Sequence, residues 1–424
     1  MLDFHTCFHH KGIEMKKGII LASLPALLLS SSLSLAAGNF DITLSALGQT
    51  ENLSFAIAED SLDSFDSSSL EATFSGFNSA VDTAQATLNF RGLEMQLSYP
   101  EVNGSKLALS IPSLGINEEF SGSSREESAD LMEDYFKGKN STTIKDILKA
   151  LAASSSVDPI AGNPSSLMSV MVADDFDTGM NDNETTNNIT NMGTEAAQDN
   201  QIGYGLRFDK FDVDGREVTS YNLPLSYTIR MDNNPRHQIK VSMPISYSKA
   251  GSAETYKLGL GIAYSFPAAD NWSLTPSVSY GLIGSPDLAS AGAVMGISLT
   301  SRYQWNLSKG RAIVMGNSVG QYETQSLEFD DYDLNPEISN TVYTNGLSYN
   351  FSQSKHVKTT IILTDTMFSG DRLYVERTDE LGVVFSPRST GSELLDSYAK
   401  IGFSYIKTDA DNLDGFRLRF SSSF

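Results

Sequence analysis

From Gln201 onward, apolar or aromatic side chains occupy every second position in run after run. The first runs are Ile202, Tyr204, Leu206 and Phe208; Tyr221, Leu223, Leu225, Tyr227 and Ile229; and Ile239, Val241, Met243, Ile245 and Tyr247. The pattern continues in Tyr256 to Phe266, Trp272 to Leu282, Ile297 to Trp305, Ile313 to Val319, Tyr343 to Phe351, Val357 to Leu363, Leu373 to Phe385, Ala399 to Tyr405 and Phe416 to Phe424. A period of two puts these residues on one face of a strand, so the pattern predicts twelve strands. The intervening positions hold Gly, Ser, Thr, Asn and long basic residues, as at Ser273, Thr275, Ser277, Ser279 and Gly281. The Tyr256 to Phe266 run exceeds the roughly 5–6 residues of an ordinary strand. It reaches the roughly 9–11 residues that a tilted membrane strand needs.

The connections alternate in length. Breaks at Asp232 to Arg236, Pro267 to Asn271, Asn306 to Gly310 and Ser352 to Lys355 are short, whereas Ile283 to Gly292 and Glu323 to Ile338 are long. Short turns at one end and long loops at the other characterise bacterial outer-membrane barrels. The short break near Ser369 to Asp371 and the long one from Ser386 to Asp396 run against this order. Phe266, Trp272, Trp305 and Phe351 border the short turns, as an interfacial aromatic girdle would. Phe416, Leu418 and Phe420 alternate outward before the chain finishes on Phe424, which resembles the C-terminal strand by which such barrels are recognised for insertion.

Upstream, residues 37–172 predict a mixed β/α region. Short alternating bursts (Phe40, Ile42, Leu44; Leu53, Phe55, Ile57; Leu93 to Tyr99; Leu107 to Ile111) precede helical patterns over Ser124 to Phe136 and Ser141 to Ala153. Residues 173–200 are acidic and poor in apolar side chains, and read as a linker. Residues 15–36 read as a secretory signal peptide: Lys16 and Lys17 precede an apolar run from Gly18 to Leu29, and small residues place cleavage between Ala36 and Ala37. Residues 1–14 read as a gene-model extension; they hold the one cysteine, Cys7, with His5, His9 and His10. Without them, disulfide and zinc-thiolate chemistry are ruled out, and no metal or cofactor is expected.

Composition narrows the class. The 52 acidic residues against 30 basic ones give a formal charge of -22, which disfavours a nucleic-acid partner. Mean hydropathy is -0.19, too polar for a bundle of membrane helices.

A C-terminal twelve-stranded barrel (201–424) behind a linker and an exported N-terminal region resembles the translocator domain of autotransporters, and most nearly the solitary autotransporter-like barrels that lack a long passenger. The resemblance rests on architecture and on the C-terminal strand. It implies that the segment before the first strand threads the pore. With the apolar set outward, Arg207, Arg230, Lys240, Lys257, Arg302, Lys358, Lys400, Arg417 and Arg419 point inward. A confined row of like charge needs counter-charge. Asp174, Asp175, Asp177, Asp182, Glu184, Glu195 and Asp199 could supply it, so residues 173–200 read either as a pore plug or as a solvated linker. Asn187-Asn188 resembles the paired asparagines at which some autotransporters cut themselves, although the following spacing matches poorly. Residues 38–172 lack the repeats of a β-helical passenger.

Several motifs invite chemistry without supporting it. Gly316-Asn317-Ser318-Val319-Gly320 has nucleophile-elbow spacing but falls inside a barrel strand. His237 and His356 both follow short turns, and the Asp212 and Asp409 clusters each lack an EF-hand ligand position. No catalytic residue is assigned. The expected function is an outer-membrane anchor or translocator for the chain's own N-terminal region. An anion-preferring small-solute channel is the alternative, and an enzyme is disfavoured. The expected surroundings are outer-membrane lipid and lipopolysaccharide, with the barrel-assembly machinery during insertion, and the expected state is a monomer.

Overall fold

The structure, a computed structural model, describes residues 38–136, 141–181, 200–213, 216–308, 311–329, 332–352, 357–387 and 400–423. The cleavage site Ala36–Ala37, residues Asp182, Glu184, Asn187, Asn188, Glu195 and Asp199, and also His356 and Phe424, lie outside the described residues. Among the described residues, no helix is long and apolar enough to cross a membrane, and no cluster of His, Cys, Asp and Glu is placed to hold a metal.

The C-terminal half is a closed antiparallel barrel. Its strands are β7 (Gln201–Val213), β8 (Arg216–Leu223 and Leu225–Met231), β9 (Asn234–Ser242 and Ile245–Ala250), β10 (Ala253–Ala269), β11 (Trp272–Ser285) and β12 (Ser290–Asn306). They are followed by β13 (Ala312–Gln325), β14 (Ser339–Ser352), β15 (Val357–Gly370), β16 (Arg377–Pro387), β17 (Lys400–Thr408) and β18 (Leu413–Ser423). Pairing of β18 with β7 closes the ring at twelve strands.

Two of the strands are each broken by a proline. Pro224 divides β8 and Pro244 divides β9, because proline supplies no N–H to the ladder. Their carbonyls still accept from Gly205 N (3.1 Å) and Gly259 N (2.9 Å). The Pro244 ring covers Gly259 so closely that a Cβ there would sit 2.7 Å from its Cγ. Pro276 instead lies in unbroken β11, opposite Leu299.

The alternation sorts as expected, apolar outward and polar inward. Leu258, Leu260 and Ile262 of β10 are exposed, while Ser273, Thr275, Ser277 and Ser279 of β11 are buried. One register differs from the sequence reading: Leu373 and Val375 precede β16 and are buried in clusters at the barrel mouth rather than lying in the strand. The start of β7, the end of β18 and the connections after Met231, Ala269 and Asn306 share one end, here the turn rim. The loop rim is opposite. Pro387 ends β16 and Lys400 begins β17 at the turn rim, whereas the 371–376 connection joins strands at the loop rim, so the two exceptions keep the strand order.

The N-terminal region forms a six-stranded antiparallel sheet in the order β2-β1-β3-β4-β5-β6. The strands are β1 (Phe40–Ala46), β2 (Gln49–Phe55), β3 (Ala84–Phe90), β4 (Leu93–Tyr99), β5 (Leu107–Ile111) and β6 (Ile116–Phe120). Helices α1 (Ala58–Asp63), α2 (Ser67–Thr73), α3 (Arg125–Phe136) and α4 (Ser141–Ser154) accompany it. The α3 and α4 patterns match the sequence reading, whereas α1, α2, β3 and β6 are additional. Phe40, Ile42, Leu44, Leu88, Leu97 and Leu109 form the core, which Ala253 and Leu288 from the loop rim complete.

Candidate functional site: the occupied barrel lumen

The sheet domain stands on the loop rim. Ala58 N donates to Asp287 O (3.0 Å), and Asn39 Nδ2 donates to Ala250 O (3.0 Å). Lys149 Nζ meets Asp371 Oδ1 at 2.6 Å, and Lys145 Nζ meets Glu337 Oε1 at 2.7 Å. Burial pushes the Asp371 carboxyl up, but the Lys149 ammonium and the Ser339 N–H outweigh it and hold the group below its ordinary value.

A buried strap, residues 155–166, leads from the domain into the barrel mouth. Asp158 organises it. Its Oδ1 accepts from Ile160 N (3.0 Å) and Ala161 N (3.1 Å), and its Oδ2 lies 3.4 Å from Arg91 Nη1 of the β3–β4 turn. Burial raises the Asp158 carboxyl and lowers the Arg91 guanidinium, each partly offset by the other's charge. Gly162 turns the strap at φ +93, where a Cβ would overlap Ala152 O. The barrel closes over it through Tyr374 N to Ala152 O (2.9 Å) and Val375 N to Gly162 O (3.0 Å).

From the strap, α5 (Leu167–Asn181) runs down the lumen against β10 to β13. The sequence boundary at 172/173 therefore falls inside a helix, and residues 173–181 are helical rather than linker. Ser166 Oγ accepts from Ser169 N (3.4 Å) at the first turn. At the other end Arg302 Nε donates to Met180 O (3.0 Å), a cation on a carbonyl of the helix's last turn.

The lumen wall is shaped to this helix. Inward glycines form sockets that any larger side chain would fill. A Cβ at Gly281 would sit 2.7 Å from Met171 Sδ, and one at Gly346 would sit 2.7 Å from Phe176 Cζ. One at Gly316 would overlap Met180 Sδ, and one at Gly292 would come within 2.9 Å of the strap's Ile160. Gly179 on the helix makes the reciprocal approach to Thr300, where its Cβ would lie 2.5 Å from Thr300 Cβ. The Gly316 to Gly320 motif therefore has a packing role. Ser318 Oγ accepts a hydrogen bond from Thr300 Oγ1 (3.1 Å) in mid-strand, with no turn to lift it.

The ionic network differs from the expectation in its source of counter-charge. Arg207 Nη1 does meet the helix at Asp174 Oδ1, 3.0 Å away. Arg417 is instead held by the wall itself, with Nε 2.6 Å from Asp209 Oδ1 and Nη1 2.8 Å from Glu380 Oε2. Arg419 Nη2 is 2.9 Å from Glu380 Oε1. Among the described residues Asp175 meets no cation, and it accepts from Ser279 Oγ and Tyr322 OH, both at 2.8 Å. Lys257 is buried and donates to Ser248 Oγ (3.0 Å). Asp209 and Glu380 are not among the inward residues expected from the sequence, although both fall on the inward phase with Arg207 and Gly382, and that phase is the signal that marks them.

Toward the turn rim, a cavity of about 380 Å³ remains beside the helix. Arg207, Arg230, Lys240, Arg302, Lys400 and Arg419 line it together with Asp174 and Asp177. Lys358 lies on the inward phase of its strand with Thr360, a lining residue. Outside, His237 Nδ1 pairs with Tyr264 OH (2.7 Å) beside the girdle formed by Trp272 and Trp305.

No family model matches the sequence, and no curated protein matches it. Among solved structures, the chain is similar to the translocator domain of the autotransporter NalP from Neisseria meningitidis, at TM-score 0.42 and 13% identity over 60% of this chain and 95% of that one. It is also similar to the β domain of the Bordetella autotransporter BrkA (TM-score 0.39, 11% identity, 53% and 98% covered). A third similar structure is the NanC porin (TM-score 0.35, 13% identity, 52% and 98% covered). At these values the likeness is one of barrel architecture alone.

Proposed function

We propose that this chain is an autotransporter-like outer-membrane barrel that anchors its own N-terminal domain at the cell surface. The carrying observation is the path of α5. The domain sits on the loop rim, β7 begins at the turn rim, and the helix runs down the lumen from the first toward the second. In an outer-membrane barrel the short-turn end faces the periplasm, which puts the loop rim and its domain outside. The exposed apolar outer surface belongs in hydrocarbon, where a closed barrel leaves no strand edge unpaired. The glycine sockets, the Arg207–Asp174 pair and the Arg302 cap favour a helix retained after assembly, so the domain stays tethered and the lumen stays blocked. No group in the lumen is assigned a catalytic role.

A cysteine introduced at Asn117 on the sheet domain should react with a membrane-impermeant maleimide on intact cells. One at Asp270 in a short turn should react only after permeabilisation. The reverse order would refute the orientation, and equal protection of both sites would remove the surface anchor.

The cationic cavity favours a second reading. Displacing α5 would carry Asp174 and Asp177 away with it and leave six basic residues of the wall lining the cavity, which would make the pore anion-preferring.

A further inference from the structure

The outer wall of the barrel is not uniformly apolar. On β10 and β11 the outward positions in mid-strand are Leu258, Leu260, Ile262, Val278 and Tyr280. Across β13 to β17, one outward row reads Asn317, Asn345, Asp365, Asp379 and Lys407, all in direct register. Asn317 lies in the middle of β13, whereas Lys407 lies next to the loop-rim end of β17, so the row climbs from mid-wall to the rim. Both asparagines are exposed. Asn317 Nδ2 donates to Asn345 Oδ1 (2.7 Å), and Arg377 Nε meets Asp365 Oδ1 (2.8 Å) while its Nη2 reaches Asp379 Oδ1 (3.4 Å). Beneath this row a second one is apolar, with Met315, Leu347, Leu363, Leu381 and Tyr405 in register. A shallow groove of about 500 Å³ lies along the two rows.

Hydrocarbon cannot satisfy this row. An amide side chain has several polar positions, and one mutual hydrogen bond leaves the rest facing lipid, where each costs free energy. Carboxylates facing the acyl chains add to that cost. A partner that offers amides at mid-wall depth and charges higher up would remove it.

Resting on the membrane-barrel reading above, we infer that the β13–β17 face docks a second copy of this chain in the bilayer. The charge pattern selects that occupant. Asp365 and Asp379 against Arg377 and Lys407 sum to zero, so a twofold axis can set cation on carboxylate with no net charge left over. A phosphate headgroup would call for a net positive patch, and it does not reach the depth of Asn317. The asparagines can pair with each other across the same axis, as interfacial amides do between membrane segments, while Leu347, Leu363 and Leu381 pack around them.

The test uses the mature full chain in native outer membranes, with cysteine at Asn345 or at Asn317 and a control cysteine at Leu260. Under mild oxidant the Asn345 or Asn317 variant should cross-link to a species of twice the chain mass, and the Leu260 variant should not. Asn317→Leu with Asn345→Leu should shift the protein from dimer to monomer in mild detergent while the barrel keeps its heat-modifiable gel mobility. Cross-linking of neither asparagine position, equal cross-linking at Leu260, or a conjugate of another mass would overturn the inference. If the protein fractionates with the outer membrane yet stays monomeric, only the docking fails; if it is absent from that fraction, the barrel reading fails first.

Discussion

Two antiparallel sheets in this chain carry the same period-two alternation and use it in opposite senses. In β1, Phe40, Ile42 and Leu44 are buried and Asp41, Thr43 and Ser45 face outward. In β7, Leu206 is exposed while Arg207 and Asp209 are buried. The sign of the pattern therefore depends on what each sheet closes around. The N-terminal sheet closes on helices and must exclude water. The barrel closes on a polar lumen with one helix inside it, and its outer face needs an apolar medium. Alternation alone specifies strands, but strand length and the polarity of the partner specify which face is buried.

The largest break in this contrast is expected in the lumen. Arg417→Leu removes the cation shared by the buried Asp209 and Glu380 and leaves them only Arg207 and Arg419, which should destabilise the barrel by up to about 3–5 kcal/mol, read as a lower temperature of loss of the compact gel form. In the N-terminal core, Leu44→Ala should cost about 2–5 kcal/mol because it leaves a cavity. Leu260→Ala on the outer wall leaves none and should cost about 1–2 kcal/mol. Equal losses at the two leucines, measured by urea titration in matched detergent, would erase the proposed difference between the sheets.

Overfilling a socket is expected to be milder. Gly346→Leu collides with Phe176 and should cost about 1–3 kcal/mol, and adding Phe176→Ala should restore part of it if the contact is real. The smallest effect is expected at the rim. Lys149→Met removes a partly exposed ion pair worth about 0.2–1 kcal/mol. The lowered Asp371 carboxyl fixes the sign of its pH dependence: the contribution is present above the ordinary carboxylate range and is lost as pH falls through the lowered value. Proteolysis of the domain should therefore separate wild type from Lys149→Met more widely at pH 7 than at pH 3.

These differences also explain what the sequence made legible. The barrel strands were readable because lipid and lumen impose opposite polarity on adjacent residues, as in Ser277, Val278, Ser279 and Tyr280. The α5 helix was hidden. Its sequence LMSVMVADDFDTGMN has wall on several sides, so Met171, Asp174, Phe176 and Met180 each face a different strand and no single apolar stripe develops. Its acidic residues read as solvated linker because their partners, Arg207, Ser279 and Tyr322, lie far along the chain. Strand β3 was hidden for a simpler reason: two of its buried positions are Ala84 and Ala86, too small to mark a period.

Occupancy of the lumen by the chain's own helix is most directly tested by single-channel recording in a planar bilayer. The intact mature chain should show little or no conductance, and deletion of residues 173–200 should open a stable pore. Identical conductance in the two proteins would contradict a barrel sealed by its own helix.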